Sequence, residues 1–143
     1  MVNRRDAIGS LLLMMGAAEG AAAEQRSPSK AWPNSVFTLP EGTTTHQPFG
    51  DVTVFFEGKT GQLKDMVAGS PVLNPGQEPH PPHQHPEEEI MLITDGYGEI
   101  LVSGKTTPVS PGALMYCEGN TLHGVKNTGD APMRFYYFKW LGA

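Results

Sequence analysis

The sequence predicts an all-β protein built as a single jelly-roll β-barrel. Thirteen prolines and seventeen glycines are scattered between short runs of β-branched and aromatic residues, the pattern of many strands joined by turns. No segment of useful length after residue 23 has helical periodicity. The 143 residues suit one domain, and roughly eight to ten strands can be placed along them, the count of a jelly roll.

The elements follow in chain order. Residues 1–23 read as a signal peptide rather than part of the fold. Arg4 and Arg5 precede an apolar stretch over residues 7–18, and Ala21-Ala22-Ala23 offers a small-residue cleavage site. The adjacent arginines resemble a twin-arginine signal; an ordinary secretory signal is the alternative. The expected location is the periplasm or another exported compartment. Residues 24–35 are polar and proline-broken, a linker, with Trp32 either capping one end of the barrel or lying in an exposed tail. The barrel domain is assigned to residues 36–143.

Within it, residues 36–39 read as a short strand and residues 41–50 as a loop. Residues 51–57 and 63–73 read as strands, with Pro71 expected to confine the second to an edge or a bend. Residues 90–94 read as an apolar strand, Asp95-Gly96 as a hairpin turn, and residues 97–103 as the returning strand. Gly104-Lys105 is a further turn and residues 113–117 a strand. Glu118-Gly119-Asn120 turns toward His123, and residues 133–140 form the last strand, apolar on both faces.

Chemistry concentrates in residues 76–96, GQEPHPPHQHPEEEIMLITDG. His83 and His85 are two apart, so on an extended chain they share a face. A run of three carboxylates, Glu87, Glu88 and Glu89, follows closely. Two neutral imidazoles and one hard oxygen are a ligand set for a first-row divalent metal. Such a site wants a further ligand or open positions, and the only histidine downstream is His123. Glu89 shares parity with Met91 and Ile93, which would form an apolar wall beneath it.

Gly76-x6-His83-x-His85-x3-Glu89-x6-Gly96 closely resembles the first cupin motif, and Gly112-x10-His123-x3-Asn127 resembles the second. The resemblance covers roughly residues 63–140. In the second motif Glu118 stands where proline is usual and Asn120 where glycine is usual. The run PHPPHQHPEEE with NTLHGVKNTGD resembles small single-domain bacterial cupins, many of them exported. The motif spacing selects Glu89 from the three carboxylates. The resemblance implies a jelly-roll fold with one divalent transition metal per chain, held by His83, His85, Glu89 and His123. Manganese or iron is favoured if the chain folds in the cytoplasm before export, with zinc, nickel or copper as alternatives.

Around those ligands His80 and Tyr116 are candidate proton-transfer groups. His46 lacks a ligand partner in sequence. Cys117, the only cysteine, reads as a buried apolar residue in preference to a soft ligand. The net charge of −5 argues against nucleic acid or an anionic membrane surface as partner. No apolar run is long enough to span a bilayer as a mature helix. The expected function is a metal-dependent enzyme, an oxygenase, isomerase or lyase acting on a small oxygen-rich molecule. The alternative is a non-catalytic module that binds or senses a metal or small ligand. A homodimer is expected from the cupin resemblance and from the apolar run Phe135-Tyr136-Tyr137-Phe138.

Overall fold

A computed structural model describes residues 31–143. The signal peptide and most of the linker expected from the sequence lie outside the described residues. Nine strands follow a 3-10 turn at Leu39–Glu41: β1 (Thr43–Gln47), β2 (Gly50–Gly58), β3 (Leu63–Leu73), β4 (Glu88–Asp95), β5 (Gly98–Val102), β6 (Lys105–Val109), β7 (Leu114–Cys117), β8 (His123–Asn127) and β9 (Met133–Gly142). They form a six-stranded sheet in the order β1-β2-β3-β9-β4-β7 and a three-stranded sheet in the order β6-β5-β8, with every strand pair antiparallel. This is the jelly-roll architecture the strand count predicted.

Side-chain alternation fixes which residues enter the barrel. On β4, Glu89, Met91 and Ile93 are buried while Leu92 is exposed. On β9, Met133, Phe135 and Tyr137 are buried. Leu73 and Ile93 have no exposed surface at all. Burial of each such side chain contributes about 1.5–3 kcal/mol.

Asn127 closes one end of this core. It is fully buried, its Nδ2 donates to Leu73 O at 3.0 Å and Ala131 O at 2.9 Å, and its Oδ1 accepts from Gly129 N at 2.9 Å. One side chain thus ties the end of β3 to the β8–β9 turn.

Several local expectations are corrected. Residues 36–39 do not form a strand. Thr38 caps the 3-10 turn instead, with its backbone N–H donating to Glu41 Oε2 at 2.7 Å. The expected loop at 41–50 contains β1, where Thr43, Thr44 and Thr45 supply β-branched residues to a polar edge strand. Pro71 sits in an interior strand, not at an edge. Its strand pairs with β2 throughout this region, but Ser70 and Pro71 have no backbone ladder partner on β9, so the missing N–H costs no ladder bond there.

The expected hairpin at Asp95-Gly96 is a crossing between sheets. Strand β4 already has β9 and β7 as neighbours, so the chain leaves for the smaller sheet. Gly96 makes that crossing at φ +79°, and a Cβ there would lie 2.7 Å from Pro132 O.

Trp32 packs on the barrel. Its indole donates to Glu57 O at 2.8 Å and its ring meets Phe56 at 5.3 Å between centroids. The end of the linker therefore docks against β2.

Candidate metal centre

The two histidine segments are sewn together by backbone. His83 and His123 form an antiparallel bridge in which each N–H donates to the other's carbonyl at 2.9 Å. Asn120 N–H donates to His85 O at 2.6 Å. Asn120 stands at φ +61°, a left-handed conformation that asparagine tolerates better than most residues. The departure from glycine at this position therefore preserves the turn into His123. The neighbouring Gly119 approaches closely as well, since a Cβ there would meet Pro86 O.

The structure brings His83, His85 and His123 together, with one ligand-type nitrogen from each within 4.8 Å of the others. Glu89 enters the same cluster. Its Oε2 lies 2.9 Å from His85 Nε2 and 3.1 Å from His123 Nε2. Two donors at right angles on an ion with bonds of 2.0–2.2 Å are about 3.0 Å apart, so both contacts match adjacent coordination positions. The imidazole triangle is more open than the 3–4 Å such bond lengths lead one to expect. Its rings are spaced by packing and by backbone pairing, with centroids 4.8–5.1 Å apart.

The tautomers fit a cation. His123 Nδ1–H donates to Thr121 O at 2.8 Å, leaving Nε2 to face Glu89. His85 Nδ1 lies 3.1 Å from Glu87 O and 3.2 Å from Glu87 Oε2, again leaving Nε2 to face Glu89. Both rings thus meet acceptors on both sides, so each Nε2 must either carry a second proton or share a cation with Glu89. His83 Nδ1 is buried without a hydrogen-bond partner. A buried polar atom left unpaired costs about 1–3 kcal/mol, so this nitrogen also fits a place where a ligand belongs.

The protonation energetics agree. Burial lowers the His83 pKa to about 4, helped by the neighbouring imidazoles His80, His123 and His85, so His83 is a neutral donor at neutral pH. For His85 burial also acts downward, but hydrogen bonds to Glu87 and Glu89 outweigh it and raise the pKa to about 9. Burial works to raise Glu89, yet the hydrogen bonds from His123 and His85 hold it near 2, an ionised carboxylate despite its burial.

The other sequence candidates fall on either side of the barrel wall. His80 lines the cavity above the cluster, its ring 3.9 Å from that of His83 between centroids. Tyr116 is a correction. Alternation on β7 turns Met115 and Cys117 inward and Tyr116 outward, where its hydroxyl donates to Glu88 Oε1 at 2.7 Å. Glu88 in turn accepts from Trp140 Nε1 at 2.8 Å, so this carboxylate belongs to the outer face. Cys117 is buried, and its thiol lies 3.5 Å from Glu118 O; burial raises its pKa. His46 is exposed and pairs with Asp51 at 2.7 Å, outside the cluster.

Sequence reasoning missed the role of Glu87, which the motif spacing passes over and which backs His85. The hydrogen bond from His85 lowers the Glu87 pKa to about 2. Tyr137 and Lys139 were missed as cavity residues. Their parity with Phe135 on β9 was the available signal.

A two-sheet barrel with a histidine cluster in a cavity between its motif segments defines the class. The family model for the Cupin domain matches residues 72–139. The chain belongs to the cupin superfamily.

Solved structures agree on the fold. An RmlC-like cupin from Shewanella frigidimarina is 12% identical with a TM-score of 0.62, covering 76% of this chain and 91% of that one. A predicted oxalate decarboxylase from Thermotoga maritima is 22% identical with a TM-score of 0.62, covering 75% and 99%. KdgF from Halomonas sp. is 20% identical with a TM-score of 0.61, covering 75% and 94%. The search of curated proteins found no match.

Proposed function

We propose that this chain is a metal-dependent cupin enzyme, an oxygenase, isomerase or lyase acting on a small oxygen-rich molecule. The carrying observation is the cluster of His83, His85, His123 and Glu89 at a cavity of about 190 Å³ with apolar walls from Val52, Met91 and Phe135. That volume is below the range of drug-sized sites, which restricts the substrate to a small molecule.

His83, His85, His123 and Glu89 would hold the metal, with Glu87 fixing the His85 ring. When bound, a divalent ion supplies Lewis-acid or redox chemistry to substrate oxygens. His80, at the cavity wall with its pKa lowered chiefly by burial, is placed to accept or return a proton. The bound ion is manganese or iron if the chain folds before export, which the Arg4-Arg5 signal supports. The protein is exported, and it is a homodimer joined through the outer face of the large sheet, where Leu92, Leu114 and Tyr116 are exposed.

Metal analysis of protein purified from its native compartment, followed by oxygen-consumption and product screens over small hydroxy and oxo acids, tests the reading. One manganese or iron per chain with turnover supports it. Retention of metal after replacing both His83 and His85 by alanine would remove the site. The outward placement of Tyr116 favours a second reading, a module that binds without turnover, because it leaves His80 as the one proton-transfer candidate of the original pair at the cavity.

A further inference from the structure

The strand β9 presents two polar groups to the cavity that the metal cluster does not use. Tyr137 is 4% exposed, and its hydroxyl is buried without a hydrogen-bond partner. Lys139, two residues on and of the same parity, lines the same cavity. Among the described residues no hydrogen bond or ion pair holds its ammonium group. Lys139 pairs across the ladder with Glu89, and Tyr137 with Met91, so both stand over the inner face of β4. The phenol is seated by design of the backbone: Gly69 leaves room where a Cβ would lie 2.6–2.8 Å from the Tyr137 ring and hydroxyl.

Burying the Tyr137 hydroxyl without an acceptor is costly, and the half-buried Lys139 beside it makes no hydrogen bond or ion pair among the described residues, so the arrangement calls for a bound group that supplies an acceptor to both. Both orphan groups can donate, and the ammonium is cationic. Glu89 takes hydrogen bonds from His85 and His123, and Glu87 from His85, while Asp65 on β3, whose carboxylate feels the Lys139 charge, makes no ion pair with it. A cavity whose free groups are donors and whose metal site adds positive charge selects an acceptor-rich anion. The apolar walls limit that anion to a small carbon skeleton.

We propose that Tyr137 and Lys139 form a carboxylate-recognition subsite, and that the substrate is a small carboxylic acid held between it and the histidine cluster. Tyr137 donates its O–H to a carboxylate oxygen and Lys139 provides the countercharge. This rests on the metal-site reading above and adds to it the substrate class. Tyr137 and Lys139 act here in binding, not in bond breaking.

The test uses the full chain loaded with manganese alone, with malonate as probe and malonamide as its neutral counterpart. Metal per chain is measured first, then dissociation constants by calorimetry. The expected result is one manganese per chain and malonate bound at least tenfold more tightly than malonamide. Tyr137→Phe and Lys139→Gln should each weaken malonate at least tenfold with the metal stoichiometry unchanged. Gly69→Ala, which displaces the phenol without altering it, should reproduce the Tyr137→Phe loss, and Tyr116→Phe on the outer face should change nothing.

Malonate bound no better than malonamide, or no malonate binding at all, with one manganese per chain overturns the subsite and leaves the metal site standing. Variants at Tyr137 and Lys139 that bind malonate within twofold of the parent overturn it as well. A chain that takes up no manganese fails the metal reading itself, and the subsite with it.

Discussion

The three consecutive glutamates offer a test of the site in which neighbouring carboxylates must behave in three different ways. Glu89 contacts His85 Nε2 and His123 Nε2, Glu87 contacts His85 Nδ1, and Glu88 faces outward to Tyr116 and Trp140. Glu87→Gln keeps an acceptor at nearly the same place but removes its charge. The backbone carbonyl of residue 87, 3.1 Å from the same nitrogen, continues to hold the tautomer. The loss is then the difference between a charge-assisted and a neutral hydrogen bond, about 1–1.5 kcal/mol, or roughly tenfold in metal affinity. That lies at the low end of the roughly 10–100-fold that outer-shell partners command. Glu89→Ala removes a ligand and should cost considerably more. Glu88→Gln should leave affinity unchanged. Competition titrations with a chromophoric chelator read all three. An effect of Glu88→Gln as large as that of Glu89→Ala would refute the assignment of faces on β4. A Glu87→Gln protein that binds metal like the parent would refute the role given to Glu87.

Other outcomes follow from the same geometry. Asn127→Ala removes three hydrogen bonds and leaves Leu73 O and Ala131 O without this partner, so it should cost about 3–4 kcal/mol, read as a lower urea midpoint; a loss below about 1 kcal/mol would contradict the latch. In metal-free protein, His85 is raised from 6.5 to about 9, so its contribution is complete below pH 6.5 and lost as pH rises through 9. His83 is lowered from 6.5 to about 4 and Glu87 and Glu89 from 4.5 to about 2, so theirs are present above the ordinary values and lost as pH falls. The melting temperature of chelator-treated protein should therefore peak near pH 6.5, and a steady rise from 6.5 to 9 would contradict the His85–carboxylate contacts. Replacing Arg4 and Arg5 by lysine should block export by a twin-arginine route, and normal export of that variant would point to the general secretory route. Light scattering should report a dimer, with Leu114→Glu shifting it to monomer; a wild-type monomer at micromolar concentration would remove the proposed interface.

Much of the fold was legible because it rests on local chemistry. Turn residues and β-branched runs mark most strands, and parity along residues 89–93 alone places Met91 and Ile93 on one face with Glu89, as β4 has them. The errors arose where pairing partners decide. Asp95-Gly96 has hairpin chemistry, yet β4 and β5 lie in different sheets, because β9 returns from far along the chain to take the place beside β4. The same long-range choice admits Pro71 to an interior strand by leaving it unpaired on one side. Strand β1 was missed because a polar edge strand carries no apolar alternation to read.

The site divides along the same line. His83, His85, Glu89 and His123 could be named because each lies in a motif whose spacing is local. Tyr116 reads from the sequence as a proton-transfer candidate, but one residue of strand parity separates the cavity from solvent, and Tyr116 is on the solvent side. Tyr137 was hidden in an aromatic run that reads equally well as core or interface. What distinguishes it is not its own residue type but Gly69 opposite, whose missing Cβ lets a phenol lie where aliphatic packing would otherwise close the barrel. A hydroxyl admitted to the interior and given no partner by the protein is conspicuous against an apolar wall, where Phe would fill the same volume without that cost. Substitution of Tyr137 by Phe should accordingly stabilise the ligand-free protein, or leave it unchanged, while weakening carboxylate binding. A variant that loses stability by more than about 1 kcal/mol would mean the hydroxyl has a structural partner, an ordered water being the nearest alternative.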